Sequence, residues 1–379
     1  MKKNIGKEAL ELHKKLKGKL NVTSKVSLKK RENWSLVYTP GVGAVAEYLA
    51  KHPEQAHSYT IKNNTVAVIS DGTAVLGLGN IGPIGALPVM EGKAAIFKEM
   101  AGINAIPIVL NTQDTKEIVQ TIKNISVTFG GINLEDFSAP HCFVIEDELK
   151  KSLSIPVMHD DQHGTAIVVL AGLINAAKVT KKNIFDMKVV VIGAGAAGTA
   201  IASLLVLYGI KNVIVSDSKG LLSKKRTGLS KYKKQLVQKT NPHSISGNLE
   251  NAIIEADVFI GVSGPKTIHP NHIKMMAEKP IVFALANPTP EIDPELAQKS
   301  GAYIIATGRS DFPNQINNAL VFPGIFRGAL DHKVPAITDE MKIKAAENVA
   351  KMITRPTPSS IIPKVTAKGL VDQVAKAIK

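Results

Sequence analysis

The chain has little of several residue types that mark whole classes of protein. A single cysteine, Cys142, among 379 residues excludes an internal disulfide framework and fits a reducing compartment. Aromatic residues make up only 4%, and the net charge of +15 comes mainly from lysine, since arginine occurs at only five positions. Nucleic-acid surfaces combine clustered arginine with interleaved aromatic residues, so this composition argues against nucleic-acid binding.

Long uncharged hydrophobic runs are also missing. No stretch of about 18 apolar residues is free of glycine turns and strand patterns, which predicts that no segment spans a membrane. The first residues carry lysines and acids without an apolar core, so they resemble neither a secretory signal nor a transit peptide. We therefore expect a cytoplasmic protein whose basic surface attracts small acidic metabolites.

The most informative segment lies at 187–217. A buried β-branched run precedes three glycines, Gly193, Gly195 and Gly198, and a helix pattern and a second strand ending at Asp217 follow them. This is the spacing of a Rossmann dinucleotide site, where the glycines allow a tight turn, close approach to the pyrophosphate and close helix packing. The predicted cofactor-binding residues are Gly193, Ala194, Gly195, Ala196, Ala197, Gly198, Asp217 and Asn287.

Alternating strand and helix patterns run through both halves of the chain. The first half has predicted strands at 65–70, 105–110, 127–129 and 155–158, and helices at 5–20, 89–101, 114–124 and 143–151. The second half has predicted strands at 188–192, 212–216, 257–262, 280–285 and 302–306, and late helices at 338–353 and 366–378. The alternation predicts an α/β fold of two domains, each with a mainly parallel sheet. We expect a first domain at 1–160, a linker around 155–165, and a Rossmann-type dinucleotide-binding domain with C-terminal helices at 161–379.

Carboxylates follow two predicted strands of the first half. Glu135 and Asp136 come after one strand, and Asp160 and Asp161 come after the next. Acids brought together by neighbouring strand ends would repel one another unless a hard divalent cation, such as Mg²⁺ or Mn²⁺, lay between them. The alternative is that Asp161 only caps the following helix and that the other pair forms a solvated turn.

Other polar residues could also carry chemistry. Lys93 lies where a glycine-rich loop gives way to a helix, and partial desolvation could lower its pKa enough for a base; otherwise it is a surface cation. Tyr38, beside a rigid Thr-Pro-Gly turn, could donate a proton or only pack. Asn287 and Asn318 could donate to a substrate carboxylate or only form turns.

Together and in this order, these motifs resemble the malic enzyme family over nearly the whole chain. The carrying motifs are Val37-Tyr-Thr-Pro-Gly41, Asp71-Gly-Thr-Ala-Val-Leu-Gly-Leu-Gly-Asn, Pro88-Val-Met-Glu-Gly-Lys93, Glu135-Asp-Phe, His159-Asp-Asp-Gln-His-Gly-Thr-Ala, the glycine fingerprint, Asn287-Pro and Asn317-Asn318. The length is similar to that of the small prokaryotic members. The resemblance implies NAD-dependent malate dehydrogenase activity that also decarboxylates oxaloacetate, in a homodimer.

The resemblance also implies roles for individual residues. Lys93 would be the base that takes the hydroxyl proton of malate, and Tyr38 would be the acid that protonates enolpyruvate, in its own or the neighbouring subunit. Glu135, Asp136 and Asp161 would ligate Mn²⁺ or Mg²⁺, and Asp160 would have a supporting catalytic role. The substrate carboxylate would be held by Asn287 and Asn318.

One position departs from the family pattern, and two alternative functions stay open. Larger eukaryotic members have a substrate-binding arginine where this chain has Ala74, so another group must meet the substrate carboxylate. NAD is favoured over NADP because Asp217 would repel a 2′-phosphate, although Lys219 and Arg226 lie nearby and oppose that preference. The alternatives are an oxaloacetate decarboxylase of the same family and a nucleotide-sensing module without chemistry.

Overall fold

A computed structural model describes residues 5–379, and these form two β-sheets covered by helices. The strands are β1 Thr65–Ser70, β2 Asn104–Val109, β3 Gly131–Leu134, β4 Val157–His159, β5 Lys188–Ile192, β6 Asn212–Asp217, β7 Gly220–Leu221, β8 Val258–Gly261, β9 Ile281–Ala284 and β10 Ile304–Thr307. The first sheet has the order β2-β1-β3-β4, with every neighbouring pair parallel. The second has the order β10-β9-β8-β5-β6-β7 and is parallel except for the short β6–β7 pair. The predicted α/β fold, with a mainly parallel sheet in each half, is confirmed.

Helices connect the strands and cover both sheets. They are α1 Ile5–Leu16, α2 Arg31–Val37, α3 Gly41–Lys51, α4 Ala56–Tyr59, α5 Gly82–Ala101, α6 Thr115–Ile125, α7 His141–Ser152, α8 Asp160–Thr180, α9 Ala196–Tyr208, α10 Lys231–Lys239, α11 Leu249–Ile253, α12 Pro270–Lys274, α13 Pro294–Lys299, α14 Phe322–Asp331, α15 Asp339–Lys351 and α16 Leu370–Ala375. Parallel strands need such crossover connections, which place the carboxyl ends of the strands at one edge of each sheet.

The long apolar helix α8 is the centre of the hydrophobic core. By length and composition it could cross a membrane, but 72% of its most apolar window is buried inside the protein. Its Ile167 and Leu170 belong to a single core cluster that also contains Val68 of the first sheet and Val191 of the second. Full burial of each such side chain contributes about 1.5–3 kcal/mol to folding. Helix α8 is therefore a core helix that packs both sheets against each other.

The predicted strand at 127–129 is wrong. Residues Ser126–Thr128 form a 3₁₀ turn, and the strand begins later, at Gly131. Val127 is 74% exposed, so its strand propensity finds no partner to pack against. Gly131 instead lies under the ring of Phe326, where a Cβ would come within 3.0 Å of the ring. Residues 131–134 therefore pair with β1, and the strand packs closely against α14 at Gly131.

Other boundaries also differ from expectation. The predicted helix at 5–20 ends at Leu16 and buries no residue of its own, and the last predicted helix, at 366–378, is reduced to α16. The predicted linker at 155–165 is a corner, because β4 ends at His159 and α8 begins at the next residue. We call this the β4–α8 corner. It places Asp160 in the core, while Asp161 stays partly exposed at 31%.

Candidate active site

Three carboxylates converge at the carboxyl ends of β3 and β4. One oxygen from each of Glu135, Asp136 and Asp161 lies within 4.8 Å of the others, and we call these residues the carboxylate cluster. The parallel pairing of Leu134 with His159 places the two strand ends side by side. Because the acids lie within two residues of those ends, strand pairing brings them to the same edge of the sheet.

The backbone and side chain of Asp136 both carry signs of a functional site. Its φ of +56° is in the left-handed region, which is uncommon for a residue other than glycine. Its N–H donates to Asp161 Oδ2 at 2.8 Å, while its own Oδ2 is buried without a hydrogen-bond partner. A hard divalent cation would satisfy such an oxygen, so the residues present fit Mg²⁺ or Mn²⁺.

The pKa values of the carboxylate cluster also favour a bound cation. Burial, reinforced by the charge of Asp161, raises the pKa of Asp136 to about 8 and the pKa of Glu135 well above its usual range. Buried acids at this distance resist simultaneous ionisation. A cation placed among them would remove that resistance, and three carboxylate oxygens are ligands that hard ions prefer.

Lys93 supplies part of the compensating charge. Its Nζ lies 2.9 Å from Glu135 Oε1, forms a short ion pair with Asp160, and stands 4.4 Å from the centre of the Phe322 ring. Burial alone would lower the pKa of Lys93, but the carboxylates of Asp160 and Glu135 outweigh burial and raise it. The expected lowering of this pKa is therefore wrong for the protein without a bound cation.

The place of Lys93 in the chain also differs from the prediction. Helix α5 begins at Gly82, with Pro83 in its first turn, so Lys93 lies in the middle of the helix rather than at a loop junction. Proline is well accepted in the first helical turn because its missing N–H needs no partner there. Lys93 is 9% exposed, and this burial shows that it is not a surface cation.

Asp160 folds back over the first turn of α8. It is completely buried, and its Oδ1 has no hydrogen-bond partner. A Cβ added at Gly164 would overlap that oxygen and would come within 3.0 Å of Asn318 Cβ. Asn318 opens the 3₁₀ turn Asn318–Leu320 and lies beside Asp160.

The structure places Asn287 and Tyr38 in different surroundings. The carbonyl of Asn287, in the loop after β9, approaches Gly77 of the loop after β1 so closely that a Cβ there would overlap it. Asn287 therefore lies where loops of the two sheets meet. Tyr38 is 64% exposed and lines a shallow groove with Val26 and Trp34. No hydrogen bond among the described residues joins Tyr38 to the carboxylate cluster.

The glycine turn of the second sheet has the predicted geometry. Residues 193–198 connect β5 with α9, and the last three of them lie in the first turn of the helix. Gly193 has a φ of +113°, and a Cβ at Gly198 would overlap the Gly193 carbonyl, so both positions require glycine. Ala194 packs its side chain in the core. The space beside Gly195 is open, and no side chain caps α9, which leaves N–H groups available for a phosphate.

Asp217 ends β6 next to this turn, but its carboxylate is already occupied. It forms ion pairs with Arg226 at 2.8 Å and with Lys233 at 2.5 Å. Burial would raise the pKa of Asp217, but these two cations lower it below the usual range. The charge that would repel a 2′-phosphate is therefore largely offset.

Comparison with known families covers both halves of the chain. Residues 17–150 match the family model described as the malic enzyme N-terminal domain, and residues 162–378 match the malic enzyme NAD binding domain. The chain belongs to the malic enzyme family.

Similar proteins cover almost the whole chain. A protein named NAD-dependent malic enzyme from Geobacillus stearothermophilus is 52% identical over 99% of this chain and 78% of its own length. A protein named bifunctional malic/malolactic enzyme from Bacillus subtilis is 50% identical over 99% of this chain and 92% of its own. The crystal structure of an NAD-dependent malic enzyme from Thermotoga maritima superposes with a TM-score of 0.95, at 50% identity over 98% of each chain.

Several residues around this malic enzyme site are not found by sequence reasoning. Asn133 donates to Glu135 Oε2 at 3.0 Å, and Phe322 lies under the amine of Lys93. The buried Glu291 accepts backbone N–H groups from two loops of the second sheet, at Ser263 and Ala286. Asn133 sits two residues before Glu135 and so on the same side of the strand, which was the one available signal.

Proposed function

We propose that this chain catalyses the oxidative decarboxylation of (S)-malate to pyruvate and CO₂, with reduction of NAD and dependence on a divalent metal. The observation that carries the proposal is the carboxylate cluster with the amine of Lys93 against it. Membership of the malic enzyme family supports the same reaction. The names of the similar proteins do not support the alternative of an oxaloacetate decarboxylase.

In this proposal the chain's own residues bind the substrate and move its protons. Lys93 would take the hydroxyl proton of malate in its neutral form, because a cation at the carboxylate cluster would offset the negative charges that raise the pKa of the amine. The buried carboxylate of Asp160 would hold the amine in place. Asn318, beside Asp160, and Asn287, at the meeting point of the loops, donate to the substrate carboxylate. With Ala74 in place of an arginine, uncharged amides do this work.

Glu135, Asp136 and Asp161 would hold Mn²⁺ or Mg²⁺. When bound, the ion would stabilise the negative charge that develops on the substrate oxygen during decarboxylation. The fit of the residues rests on the unpartnered, buried Oδ2 of Asp136 and on the three oxygens within 4.8 Å.

Tyr38 would protonate enolpyruvate. Because it is exposed and away from the cluster of its own chain, we propose a homodimer in which it reaches the neighbouring subunit's site. The apolar side chains of Leu36 and Val37 beside it are also exposed, at 72% and 41%, and a second copy would cover them. The proposed division is 1–160 for the catalytic domain and 161–379 for the NAD-binding domain, in a cytoplasmic protein.

The function is tested by steady-state assays of the purified protein with malate or oxaloacetate, each cofactor and Mn²⁺. We expect NADH formation from malate that requires the metal, with kcat/KM for NAD above that for NADP. Because Arg226 and Lys233 surround Asp217, we also expect measurable turnover with NADP. Absence of malate turnover with both cofactors would overturn the proposal. Cofactor-free release of pyruvate from oxaloacetate, far faster than malate oxidation, would identify the decarboxylase instead, and NAD binding without metal binding would identify a sensing module.

Gly164→Ala is expected to displace Asp160 and lower kcat. The new Cβ would overlap Asp160 Oδ1, and the carboxylate must then move away from Lys93. A misplacement of about 1 Å in an active site costs on the order of 100-fold in rate. Gly172→Ala in the same helix is the matched control, since its nearest neighbour is the side-chain end of Ile316 at 3.1 Å. Equal kcat values for the two variants would contradict the placement of Asp160.

Binding of Mn²⁺ is expected to release protons at pH 7. With the pKa of Asp136 raised to about 8 and that of Glu135 raised well above its usual range, the metal-free cluster holds protons that a cation displaces. Apparent affinity should therefore fall as the pH is lowered from 8 to 6, by about tenfold per unit for each proton released. Calorimetric titration in buffers of different ionisation enthalpy measures the number of protons released when Mn²⁺ binds. A binding enthalpy independent of buffer would show that these carboxylates are already ionised.

A further inference from the structure

Another buried acid, Glu146 of α7, contacts the β4–α8 corner and is only 4% exposed. Its Oε1 accepts the His159 backbone N–H at 2.9 Å and pairs with Lys150 Nζ at 2.8 Å. Its Oε2 lies 2.9 Å from His163 Nε2 and 3.3 Å from Gln162 Nε2. Burial alone would raise the pKa of Glu146, but His163 and Lys150 hold it well below its usual range. The side chain is an ionised anchor with four partners.

Three of those partners bracket the functional acids in the chain. His159 is the last residue of β4, and Gln162 and His163 lie in the first turn of α8. Asp160 and Asp161 are the two residues between these anchored points. Nothing separates the strand from the helix, so any movement of the β4–α8 corner moves both acids.

Glu146 also acts at the N-terminus of α8, which has no cap from its own N-cap side chain. His159 occupies the N-cap position of α8 but makes no side-chain capping hydrogen bond. The first N–H groups of a helix need acceptors, and a negative charge is favourable at this end of the helix dipole. The carboxylate of Glu146, supplied by another helix, accepts one of these N–H groups, that of His159, and places a negative charge at this end of α8.

We propose that Glu146 is a positioning residue that fixes the β4–α8 corner and thereby sets the metal-binding geometry of Asp161 and the placement of Asp160 against Lys93. The inference rests on the metal-dependent function proposed above. Hydrogen-bonding partners behind metal ligands typically change metal affinity by about 10- to 100-fold when removed. A purely structural role for Glu146 would instead lower thermal stability and leave the metal affinity of the folded protein unchanged.

The test compares Glu146→Gln with Glu148→Gln in the full chain. Glutamine keeps the shape of Glu146 but removes its charge and replaces one acceptor oxygen with a donor. Glu148 lies on the same helix, is exposed, and pairs only loosely with Lys151 at 3.9 Å. We expect Mn²⁺ affinity, measured by calorimetric titration without nucleotide, to fall about 10- to 100-fold in Glu146→Gln and to stay within twofold in Glu148→Gln. Binding of NADH should be equal in both variants.

Two further variants distinguish failure of the proposed function from failure of the positioning role of Glu146. Asp161→Asn in the same titration reports whether the ion binds at the carboxylate cluster. If wild type and Asp161→Asn bind Mn²⁺ alike, the proposed function fails together with this inference. If Asp161→Asn loses affinity while Glu146→Gln keeps it, only the positioning role is overturned. Should Glu146→Gln not fold, Gln162→Ala removes one contact of the anchor, and a loss of several-fold in Mn²⁺ affinity is then expected, whereas an unchanged affinity overturns the role.

Discussion

Lys93→Met is expected to lower kcat for malate oxidation by about 10²- to 10⁴-fold, the usual effect of removing a general base. Methionine keeps the apolar stem that packs near Phe322 and removes only the amine that faces Asp160 and Glu135. Steady-state kinetics with saturating Mn²⁺ and NAD measure the loss. Binding of NADH should persist, because the glycine turn lies on the other sheet.

Lys98→Met is the matched control for this prediction. Lys98 lies on the same helix, but it is exposed and its amine donates to the side chain of Asn104, at 2.9 Å. We expect kcat of the control to match wild type. A Lys93→Met enzyme with wild-type kcat would remove this amine from the mechanism.

Asp161→Asn is expected to abolish metal-dependent activity, with a loss of about 10²- to 10⁴-fold, equivalent to several kcal/mol of transition-state stabilisation. The substitution keeps the size of the side chain but removes a charged oxygen that lies within 4.8 Å of the Glu135 and Asp136 oxygens. Activity is measured as a function of Mn²⁺ concentration, with Glu148→Gln as the control.

The same variant, although it loses activity, is expected to be more stable than wild type when no metal is present. Asp161 raises the pKa of both Glu135 and Asp136, so its charge opposes their ionisation in the folded state. At pH values above 7, removing this charge should raise the thermal midpoint of the metal-free protein. Added Mn²⁺ should then no longer raise the midpoint further. A metal-free midpoint below that of wild type, with an intact response to Mn²⁺, would contradict the assigned ligand set.

The parts of the site that the sequence predicts well are those set by local rules. Glu135 and Asp161 meet because they lie within two residues of the ends of neighbouring parallel strands, and parallel strands end at one edge. Gly193 and Gly198 are recognised because a positive φ and a close carbonyl leave no room for a Cβ. In both cases the spacing of the residues along the sequence is enough to predict their arrangement in the structure.

The parts that the sequence does not predict depend on contacts between distant segments. The raised pKa of Lys93 follows from Asp160, which lies on another helix, and the occupied carboxylate of Asp217 follows from Lys233 on α10. Glu146 appears in the sequence as one acid among several of an ordinary amphipathic helix. The packing of α7 against the β4–α8 corner gives it three partners, His159, Gln162 and His163, in addition to Lys150 on its own helix.

We propose that oxygens of the carboxylate cluster hold a metal ion beside the amine of Lys93, in the cleft where the cofactor's reactive ring binds. Diffraction from crystals grown with Mn²⁺ and NAD, with data collected for the anomalous signal of manganese, locates the ion. We expect one strong peak within about 2.0–2.6 Å of oxygens from Glu135, Asp136 and Asp161, with the nicotinamide beside it. A manganese peak elsewhere, with these three side chains turned away from one another, would rule out this metal site.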